Sequence, residues 1–364
     1  MALLLLPEWQ QQEQSSPPRK QNPVNGSHMN SLIGGVHMSI DAAYYQRISR
    51  GEAAGSYQAF PDACRLRNGD IVCVFYAGYA HVSLPNREYP RGGRICFVRS
   101  QDEGRTWSQP QVLYDGLDDD RDPHISQLHD GTLVCSFFTY RKASNGVEFD
   151  TKVVLSHDDG RAWSKRPVTV AKGYAVSAPV REVVPGRCLL GVYTEQNGQG
   201  FAAIAISTDG GIRWKKPVPI SANCPTLPDG TETDIIRLKD GSLMAIIRSD
   251  KVNMHFCLSK DDGRTWSSPQ DLGFPGHAPH LTRLRTDEIL LTHRLPNTAL
   301  HISRDEGRSW QGPYVLDEVI GAYPSTVELK DGSVLAVYYE EGEGSAVRAM
   351  RFRVRKDGIE KLKW

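Results

Sequence analysis

Acidic, histidine and tyrosine side chains recur at equivalent places in six segments of the sequence, on either side of a shared proline position. Those immediately before it are Phe60, Asp122, Ala178, Glu232, Ala278 and Tyr323, and those immediately after it are Asp62, His124, Val180, Asp234, His280 and Ser325. Arg121 and His277 stand two residues before the proline of their segments. A strand that only has to pack needs apolar residues, whereas carboxylates, imidazoles and a phenol can transfer protons or attack an electrophilic carbon. The pattern therefore indicates a binding or catalytic site, provided that the six segments converge.

Five copies of the octapeptide Ser-x-Asp-x-Gly-x-x-Trp indicate how these segments are arranged. The copies begin at Ser100, Ser156, Ser207, Ser259 and Ser303, which are 56, 51, 52 and 44 residues apart. A recurring period of this size is typical of repeat architectures. Inside each copy the Asp carboxylate can accept backbone N–H groups, Gly can adopt a positive φ, and Trp can fold back over the turn. The octapeptide therefore predicts the tip of a β-hairpin.

Each repeat also contains a short strand, a turn and a strongly apolar strand, and this element occurs six times between residues 59 and 357. Asn-Gly or Asp-Gly separates the two strands at residues 68–69, 130–131, 240–241 and 331–332, which is a strong hairpin signal. Four antiparallel strands in about 50 residues make one propeller blade. The sequence thus predicts an all-β fold, a six-bladed β-propeller with the proline positions at one rim. Residues 346–354 are predicted as the third strand of the last blade and residues 35–40 as its outer strand.

The first 29 residues are predicted to be an expression tag or a disordered leader. Residues 8–28 are rich in Gln, Pro and Ser and end in Gly-Ser-His ahead of Met29, and the leucine run at residues 3–6 is too short for a signal-peptide core. Residues 30–364 are predicted to form a single propeller domain. No native targeting signal is visible in this sequence.

Composition excludes partners that are recruited by net charge. The chain has 43 Lys and Arg against 43 Asp and Glu, so no global field attracts nucleic acid or an anionic membrane. Its seven cysteines, an odd number without metal-ligand spacing, are interpreted as structural thiols, which favours a reducing, cytoplasmic compartment. His277 and His280, three apart in a strand, would point to opposite faces. We therefore predict neither a metal site nor a cofactor.

The octapeptide is identified as the Asp box of the sialidase-like (neuraminidase) β-propellers, and the chain resembles that family over nearly all of its length after residue 29. The segment from Tyr323 to the Asp-Gly turn at residues 331–332 is similar to the opening of the family's last blade, which maps Tyr323 to the nucleophile. Glu232, six residues before Leu238, matches the glutamate that deprotonates this tyrosine. Arg248 matches the arginine that closes the following strand, and Arg294 most nearly matches a further arginine.

The resemblance implies a specific chemistry for these residue types. A sialic acid carries a carboxylate on its anomeric carbon, which would repel an anionic nucleophile. A tyrosine activated by a neighbouring glutamate attacks as a nearly neutral group instead. Arginines hold the substrate carboxylate in bidentate fashion, and a carboxylic acid protonates the leaving oxygen.

Two elements of the family pattern are missing. Ala59 stands where the first arginine of the usual triad would be, and the loop at residues 77–93 lacks the acid/base aspartate. Arg121, from the next blade, is the candidate replacement for the arginine. Asp62 and Asp122 are the candidate acids. The set of predicted substrate-binding residues comprises Arg121, Arg248, Arg294, His124, Asp234, His277 and His280.

The predicted function is therefore that of a retaining exo-glycosidase that releases a terminal acidic sugar, sialic acid or a related ulosonic or uronic acid, from a glycan. Two alternatives stay open, because fold alone does not assign function. One is a carbohydrate lyase or another glycosidase that uses the His and Asp residues of the rim. The other is a non-catalytic glycan-binding propeller. Asp62, Asp122, Asp234 and the histidines also have a purely structural interpretation, in which they hydrogen-bond turns or each other.

Overall fold

The apolar strands and Asp-Gly turns of the sequence fold into six antiparallel sheets that follow one another along the chain. The computed structural model describes residues 41–51, 53–144, 146–196, 199–221, 227, 231–319, 321–341 and 345–364. The predicted leader at residues 1–29 and the predicted outer strand at residues 35–40 lie outside these ranges. All regular elements within them are strands, and none is a helix that could cross a membrane. The predicted all-β, six-bladed β-propeller is confirmed.

Strands are numbered in chain order. β1 (Tyr45–Arg50) precedes blade one, which contains β2 (Tyr57–Arg65), β3 (Ile71–Gly78), β4 (Arg94–Ser100) and β5 (Gln111–Tyr114). Blade two contains β6 (Asp119–Gln127), β7 (Leu133–Ala143), β8 (Gly146–Ser156) and β9 (Val168–Lys172). Blade three contains β10 (Arg181–Val184), β11 (Arg187–Gln196), β12 (Gln199–Ser207) and β13 (Val218–Pro219). Blade four contains β14 (Thr233–Arg237), β15 (Leu243–Ile247), β16 (His255–Ser259) and β17 (Gln270–Asp271). Blade five contains β18 (His277–Arg283), β19 (Ile289–Arg294), β20 (Thr298–Ser303) and β21 (Gln311–Asp317). Blade six contains β22 (Gly321–Glu328), β23 (Val334–Glu340), β24 (Ala346–Arg355) and β25 (Gly358–Leu362).

Blade six is completed by both ends of the described chain. β1 pairs with the first half of β24, from Ala346 to Met350, and β25 pairs with its second half, from Arg351 to Arg355. The outer position of this blade is therefore shared by two segments, and the earlier one joins the last blade to the residues that lead into blade one. The third strand agrees with the predicted residues 346–354 to within one residue. The segment that closes the ring among the described residues is residues 45–50.

The five Asp boxes form the hairpin tips between the third and fourth strands of blades one to five, at the outer side of each of these blades. In the first box Asp102 Oδ1 accepts hydrogen bonds from Ser100 Oγ and the Thr106 N–H, both at 2.8 Å. Trp107 Nε1 donates to the Gly104 carbonyl at 3.0 Å, and Gly104 itself has a φ of 81°, which favours glycine. The inner strands of the blades contact one another around the axis. The boxes thus stabilise the scaffold at the end of each sheet that is remote from the axis.

Buried apolar strands form the core between neighbouring blades. Ile71, Phe75, Leu335 and Val337, for example, lie in one cluster between blades one and six, where each is fully buried. The six described cysteines are free, and burial raises the pKa of the Cys188 thiol to about 12. Cys224 lies outside the described residues. Close packing of the blades fixes the positions of the inner strands, and with them the rim that they form.

The inner strands of four blades share a backbone irregularity at the residue before the proline. Phe60, Asp122, Ala278 and Tyr323 have φ values of 53°, 48°, 52° and 47°, and the strand register shifts at each of these places. A left-handed residue with a Cβ costs roughly 1–2 kcal/mol, and a bulge of this kind re-aims one side chain relative to its neighbours. At each bulge, the side chain of the residue before the proline thus points in a different direction from the side chains of the residues that continue the regular strand.

The left-handed backbone leads to a prediction about protein stability at Ala278. Every substitution at this position except proline retains the backbone N–H. We expect Ala278→Gly to leave the free energy of unfolding unchanged or to raise it by up to about 1 kcal/mol, because relief of the left-handed strain offsets the entropy of glycine and the lost methyl group. Ala245→Gly, in the regular strand β15, should lower it by about 1–2 kcal/mol. Urea unfolding followed by tryptophan fluorescence compares the two, and equal losses would contradict the argument.

Candidate active site

Tyr323 and Glu232 form a direct hydrogen bond between blades six and four. Tyr323 Oη donates to Glu232 Oε1 at 2.7 Å. Arg248 Nη1 donates to the same oxygen at 2.8 Å and lies 3.5 Å from Tyr323 Oη. Glu232 Oε2 accepts the Ala278 N–H at 2.9 Å. The carboxylate is therefore held on both oxygens, and one of them faces the phenol.

The charges around this pair keep the carboxyl group ionised and the phenol neutral. Burial opposes the charge on Glu232, but the Arg248 guanidinium, the hydrogen bond from Tyr323 and Arg294 together hold the pKa of Glu232 below its ordinary value. Burial, followed by the negative charge of Glu232, raises the pKa of Tyr323 above its ordinary value, although Arg294 and Arg248 oppose that shift. An ionised carboxylate thus lies within hydrogen-bond distance of a protonated phenol.

The two arginines beside the pair differ in how fully they are satisfied. Arg248 is 5% exposed and also binds Asp250 Oδ1, through Nε at 3.0 Å and Nη2 at 2.9 Å. Arg294 lies with its Cζ 4.9 Å from the centroid of the Tyr323 ring. Its Nη1 donates to the Gly321 carbonyl at 3.5 Å, and its buried Nε has no hydrogen-bond partner in the described part of the chain. Arg294 therefore retains donor capacity for an anion next to the phenol.

Asp122 reaches the same region from the inner strand of blade two. Its Oδ2 accepts a hydrogen bond from Ser177 Oγ at 2.9 Å, whereas its buried Oδ1 has no hydrogen-bond partner among the described residues. Burial raises the pKa of Asp122 to about 6; Arg121 opposes the shift, and the charge of Glu232 adds to it. The preceding residue, Arg121, has its Cζ 5.6 Å from the Phe60 ring centroid, and that ring contacts Tyr323, so Asp122 adjoins the cluster that contains the phenol.

Arg121 lies beside Asp122 in a box of aromatic rings. Its Cζ is 5.6–5.8 Å from the ring centroids of Phe60, Tyr76, Phe138 and Tyr140. Asp119 Oδ2 is 3.8 Å from its Nη1, and its Nε is buried without a hydrogen-bond partner in the described ranges. The residue is 3% exposed. A guanidinium in this environment is stabilised mainly by cation–π contacts and one loose ion pair.

Phe60 and His81 connect the two halves of the site. The Phe60 ring makes an edge-to-face contact with Tyr323 at 5.1 Å between centroids, and it meets His81 at 5.2 Å. His81 Nδ1 is 2.9 Å from Tyr57 Oη. Burial, together with Arg121 and Arg294, lowers the pKa of His81 to about 2, so the imidazole is neutral near both arginines. Tyr323, Arg294, His81, Phe60 and Arg121 thus form one cluster of contacting side chains.

Asp62 lies in a different environment from Asp122, although both are predicted acids. Its Oδ2 accepts the Ile125 N–H at 2.8 Å, and its Oδ1 accepts the Ala63 N–H at 2.9 Å and the Ser325 hydroxyl. His124 Nδ1 and His280 Nε2 each lie 3.4 Å from one of its oxygens. Although burial opposes its charge, these two histidines hold the pKa of Asp62 well below its ordinary value. Asp62, His124 and His280 therefore link the inner strands of blades one, two, five and six.

Asp234 and His277, both predicted to bind substrate, differ in their relation to the Tyr323–Glu232 pair. Asp234 is fully buried and pairs with Arg181, rather than with Arg248, through contacts of 2.9 Å to Nε and 2.5 Å to Nη2. It also accepts the Leu281 N–H at 2.7 Å. His277 Nε2 is 3.2 Å from Asp250 Oδ1, so this histidine adjoins Arg248. Burial, Arg248 and Arg294 nevertheless lower the pKa of His277 to about 2, which keeps its ring neutral.

Sequence reasoning missed two residues of this site. Asp250 follows Arg248 by two residues and orients it, and this spacing could have indicated a partner for the arginine. The second is Tyr193, in β11. Burial raises the pKa of its hydroxyl, and the charges of Glu232, Asp122 and Tyr323 raise it further. Nothing in the sequence of β11 distinguishes Tyr193 from other strand residues.

Comparison with known proteins places this geometry in a family. The model of the BNR repeat-like domain matches residues 94–336, which is more than half of the chain. The chain belongs to this family. A protein named sialidase from Bacteroides fragilis (strain YCH46) is 27% identical over 205 residues, which are 52% of this chain and 36% of that protein. The matched region thus spans about a third of the length of the relative, and the sialidase-like assignment made from the Asp boxes is confirmed.

Solved structures share the fold at low sequence identity. A protein of unknown function from Dyadobacter fermentans DSM 18053 superposes with a TM-score of 0.71 at 22% identity, over 86% of this chain and 98% of that one. The NanB sialidase from Streptococcus pneumoniae superposes with a TM-score of 0.67 at 12% identity, over 86% of this chain and 71% of that one. At such identities the similarity establishes the β-propeller fold.

Proposed function

We propose that the protein is a retaining exo-glycosidase that releases a terminal, carboxylate-bearing sugar from a glycan. The observation that carries the proposal is the 2.7 Å hydrogen bond from Tyr323 Oη to Glu232 Oε1, with Arg248 on the same oxygen and Arg294 over the phenol ring. Similarity to proteins named sialidases supports the same reaction class. The sugar is sialic acid or a related ulosonic or uronic acid.

In the proposed reaction Tyr323 is the nucleophile and Glu232 its base. Because Glu232 is held ionised and Tyr323 neutral, the phenol proton can pass to the carboxylate as the oxygen attacks the anomeric carbon. A neutral phenol avoids the repulsion that an anionic nucleophile would meet from the substrate carboxylate. Water then displaces the tyrosine, and two inversions at the anomeric carbon retain its configuration.

The arginines are proposed to bind the substrate carboxylate. Arg294 has a buried Nε without a partner in the described residues, and Arg248 is fixed beside it by Glu232 and Asp250. Arg121 is the proposed third cation, contributed by blade two because blade one offers Ala59 at the expected place. Desolvated guanidinium groups bind carboxylates strongly when the hydrogen bonds are charge-assisted.

Substitution of Arg294 tests the binding of the carboxylate. Arg294→Lys should lower kcat/KM for the anionic substrate by about 10- to 100-fold, because a charge-assisted hydrogen-bond pair is lost. The same variant should discriminate less between the acid and its methyl ester. Arg285→Lys, which alters an exposed ion pair with Glu328, is the matched control and should change neither quantity. Equal ester discrimination in wild type and Arg294→Lys would contradict the assignment.

A substrate screen tests the reaction itself. Terminal glycosides of sialic acid, other ulosonic acids and uronic acids are incubated with the protein, and the first-formed anomer is identified by NMR. We expect release of one acidic monosaccharide with retained configuration. An unsaturated product that absorbs in the ultraviolet would instead indicate a lyase, and binding without turnover would indicate a glycan-binding propeller.

A further inference from the structure

Among the carboxyl groups that the structure describes around Tyr323, Asp122 differs because one of its oxygens accepts a hydrogen bond and the other has no partner among the described residues. Its Oδ2 is fixed by Ser177 at 2.9 Å, and its Oδ1 is buried without a hydrogen-bond partner among the described residues. Glu232 is held on both oxygens, and Asp62 accepts contacts on both. A buried carboxyl oxygen without a donor is costly when charged and is best occupied by a proton or by a ligand.

We propose that Asp122 is the acid/base catalyst of this site, the group that protonates the leaving glycosidic oxygen and later activates water. The proposal rests on the proposed glycosidase function and extends it to a residue of blade two. The loop of blade one at residues 77–93 contains no aspartate that could serve instead. Asp122 shares its left-handed backbone and its position before a proline with Tyr323, so the same bulge that presents the nucleophile presents the acid.

The surroundings of Asp122 allow it to alternate between protonated and ionised forms. Burial raises the pKa of Asp122 to about 6, against the effect of Arg121 and with that of Glu232. Ser177 contacts Asp122 directly, and the groups that interact with it electrostatically are Arg121, His124, Tyr193, Glu232 and Tyr323. Ser177 donates to the ionised form and stabilises it. The pKa therefore lies where a group can both give and take a proton near neutrality.

The proton balance of the proposed cycle closes without an added reagent. The Tyr323 oxygen forms a bond to the anomeric carbon, and its proton passes to Glu232. The bond from that carbon to the glycosidic oxygen breaks, and this oxygen takes the proton of the Asp122 carboxyl group. Water then attacks the anomeric carbon and gives one proton to Asp122, while the Tyr323 oxygen leaves and recovers its proton from Glu232. The net reaction is hydrolysis of one glycosidic bond.

A pair of substrates with the same acidic sugar and different leaving groups tests the role of Asp122. Asp122→Asn should lower kcat/KM by about 100- to 1000-fold for a sugar leaving group, which needs protonation, and by less than about 10-fold for an activated aryl leaving group. Azide should restore turnover of the aryl substrate by replacing water. Asp120→Asn is the matched control. Burial raises the pKa of Asp120 to about 7, but its two oxygens accept hydrogen bonds from Thr139 and Gly116. The ratio of kcat/KM for the aryl substrate to kcat/KM for the substrate with the sugar leaving group should therefore stay at the wild-type value.

Ser177→Ala supplies a second readout that does not depend on how Asp122→Asn folds. Loss of the hydrogen bond to the ionised form raises the pKa of Asp122, so the alkaline limb of kcat/KM should move to higher pH. The acid/base assignment would be overturned if Asp122→Asn lost kcat/KM equally on both substrates, or if the alkaline limb of the Ser177→Ala profile did not move. Either result would leave the proposed glycosidase function standing. If wild type and Tyr323→Phe hydrolysed the aryl substrate equally, or neither hydrolysed it, the proposed function itself would fail.

Discussion

Tyr323→Phe is expected to lower kcat by at least about 1000-fold while glycan binding persists, because the variant retains the ring and loses the attacking oxygen. The ring contacts with Phe60 and Arg294 need no hydroxyl, so the binding surface should be preserved. Turnover is measured with the substrate that the screen identifies, and binding by calorimetry with the same compound. A pure binding propeller would show no difference in either measurement.

Tyr339→Phe is the matched control for this prediction. Tyr339 is buried in the same aromatic cluster, with its ring 6.2 Å from that of Tyr323, but Glu232, the proposed base, accepts its hydrogen bond from Tyr323. We expect less than about a 10-fold loss of kcat in this variant. A fluorinated glycosyl fluoride of the active sugar should add its mass to a peptide that contains Tyr323 in the wild-type protein. Labelling of another residue, or comparable losses in the two variants, would refute Tyr323 as nucleophile.

Asp234→Ala should lower the free energy of unfolding by about 3 kcal/mol. Asp234 is fully buried, and its removal leaves the Arg181 guanidinium, 26% exposed, without its carboxylate and the Leu281 N–H without its acceptor. Breaking a buried pair on one side costs roughly 3–5 kcal/mol, and the partial exposure of Arg181 favours the lower end. Urea denaturation followed by tryptophan fluorescence measures the change.

Glu360→Ala provides the comparison for Asp234→Ala. The Arg355–Glu360 pair is about half exposed on both sides, and its loss should change the free energy of unfolding by less than about 1 kcal/mol. The comparison separates two roles for Asp234, since the sequence assigns it to substrate binding and its contacts assign it to the joint between blades three, four and five. If Asp234→Ala were as stable as Glu360→Ala and had a raised KM, the substrate-binding role of Asp234 would be supported instead.

The fold could be predicted from the sequence because its strongest signals are local. An Asp box needs only eight residues to specify a hairpin tip, and an Asp-Gly pair needs two. Ring closure is a long-range event and carries no such signal. The closing strand Tyr45–Arg50 pairs across about 300 residues with β24, and four of its six residues are polar or charged. Nothing in these six residues alone distinguishes an outer strand from a surface segment.

The site could be predicted only in part because alignment does not give side-chain direction. Tyr323 and Glu232, both before the proline position, are hydrogen-bonded to each other. Asp62 and Asp234, two residues further along their segments, are enclosed in contacts between blades. The left-handed backbone at Asp122 and Tyr323 accounts for this separation in two of the blades, and a φ value has no unique sequence signature in a residue other than glycine. Asp250 joins the site through a local contact with Arg248, two residues before it.

The outer edge of blade six is assembled from two segments that lie far apart in the described chain. Tyr323 lies on the inner strand of the blade whose edge is assembled from β1 and β25, the earliest and latest strands described. During synthesis this sheet stays unfinished until β25 has left the ribosome, by which time Glu232, Arg248 and Asp122 have already emerged. Proteolytic loss of either edge segment would open the same blade. An early and a late segment of the described chain are thus both needed to complete the sheet that contains Tyr323.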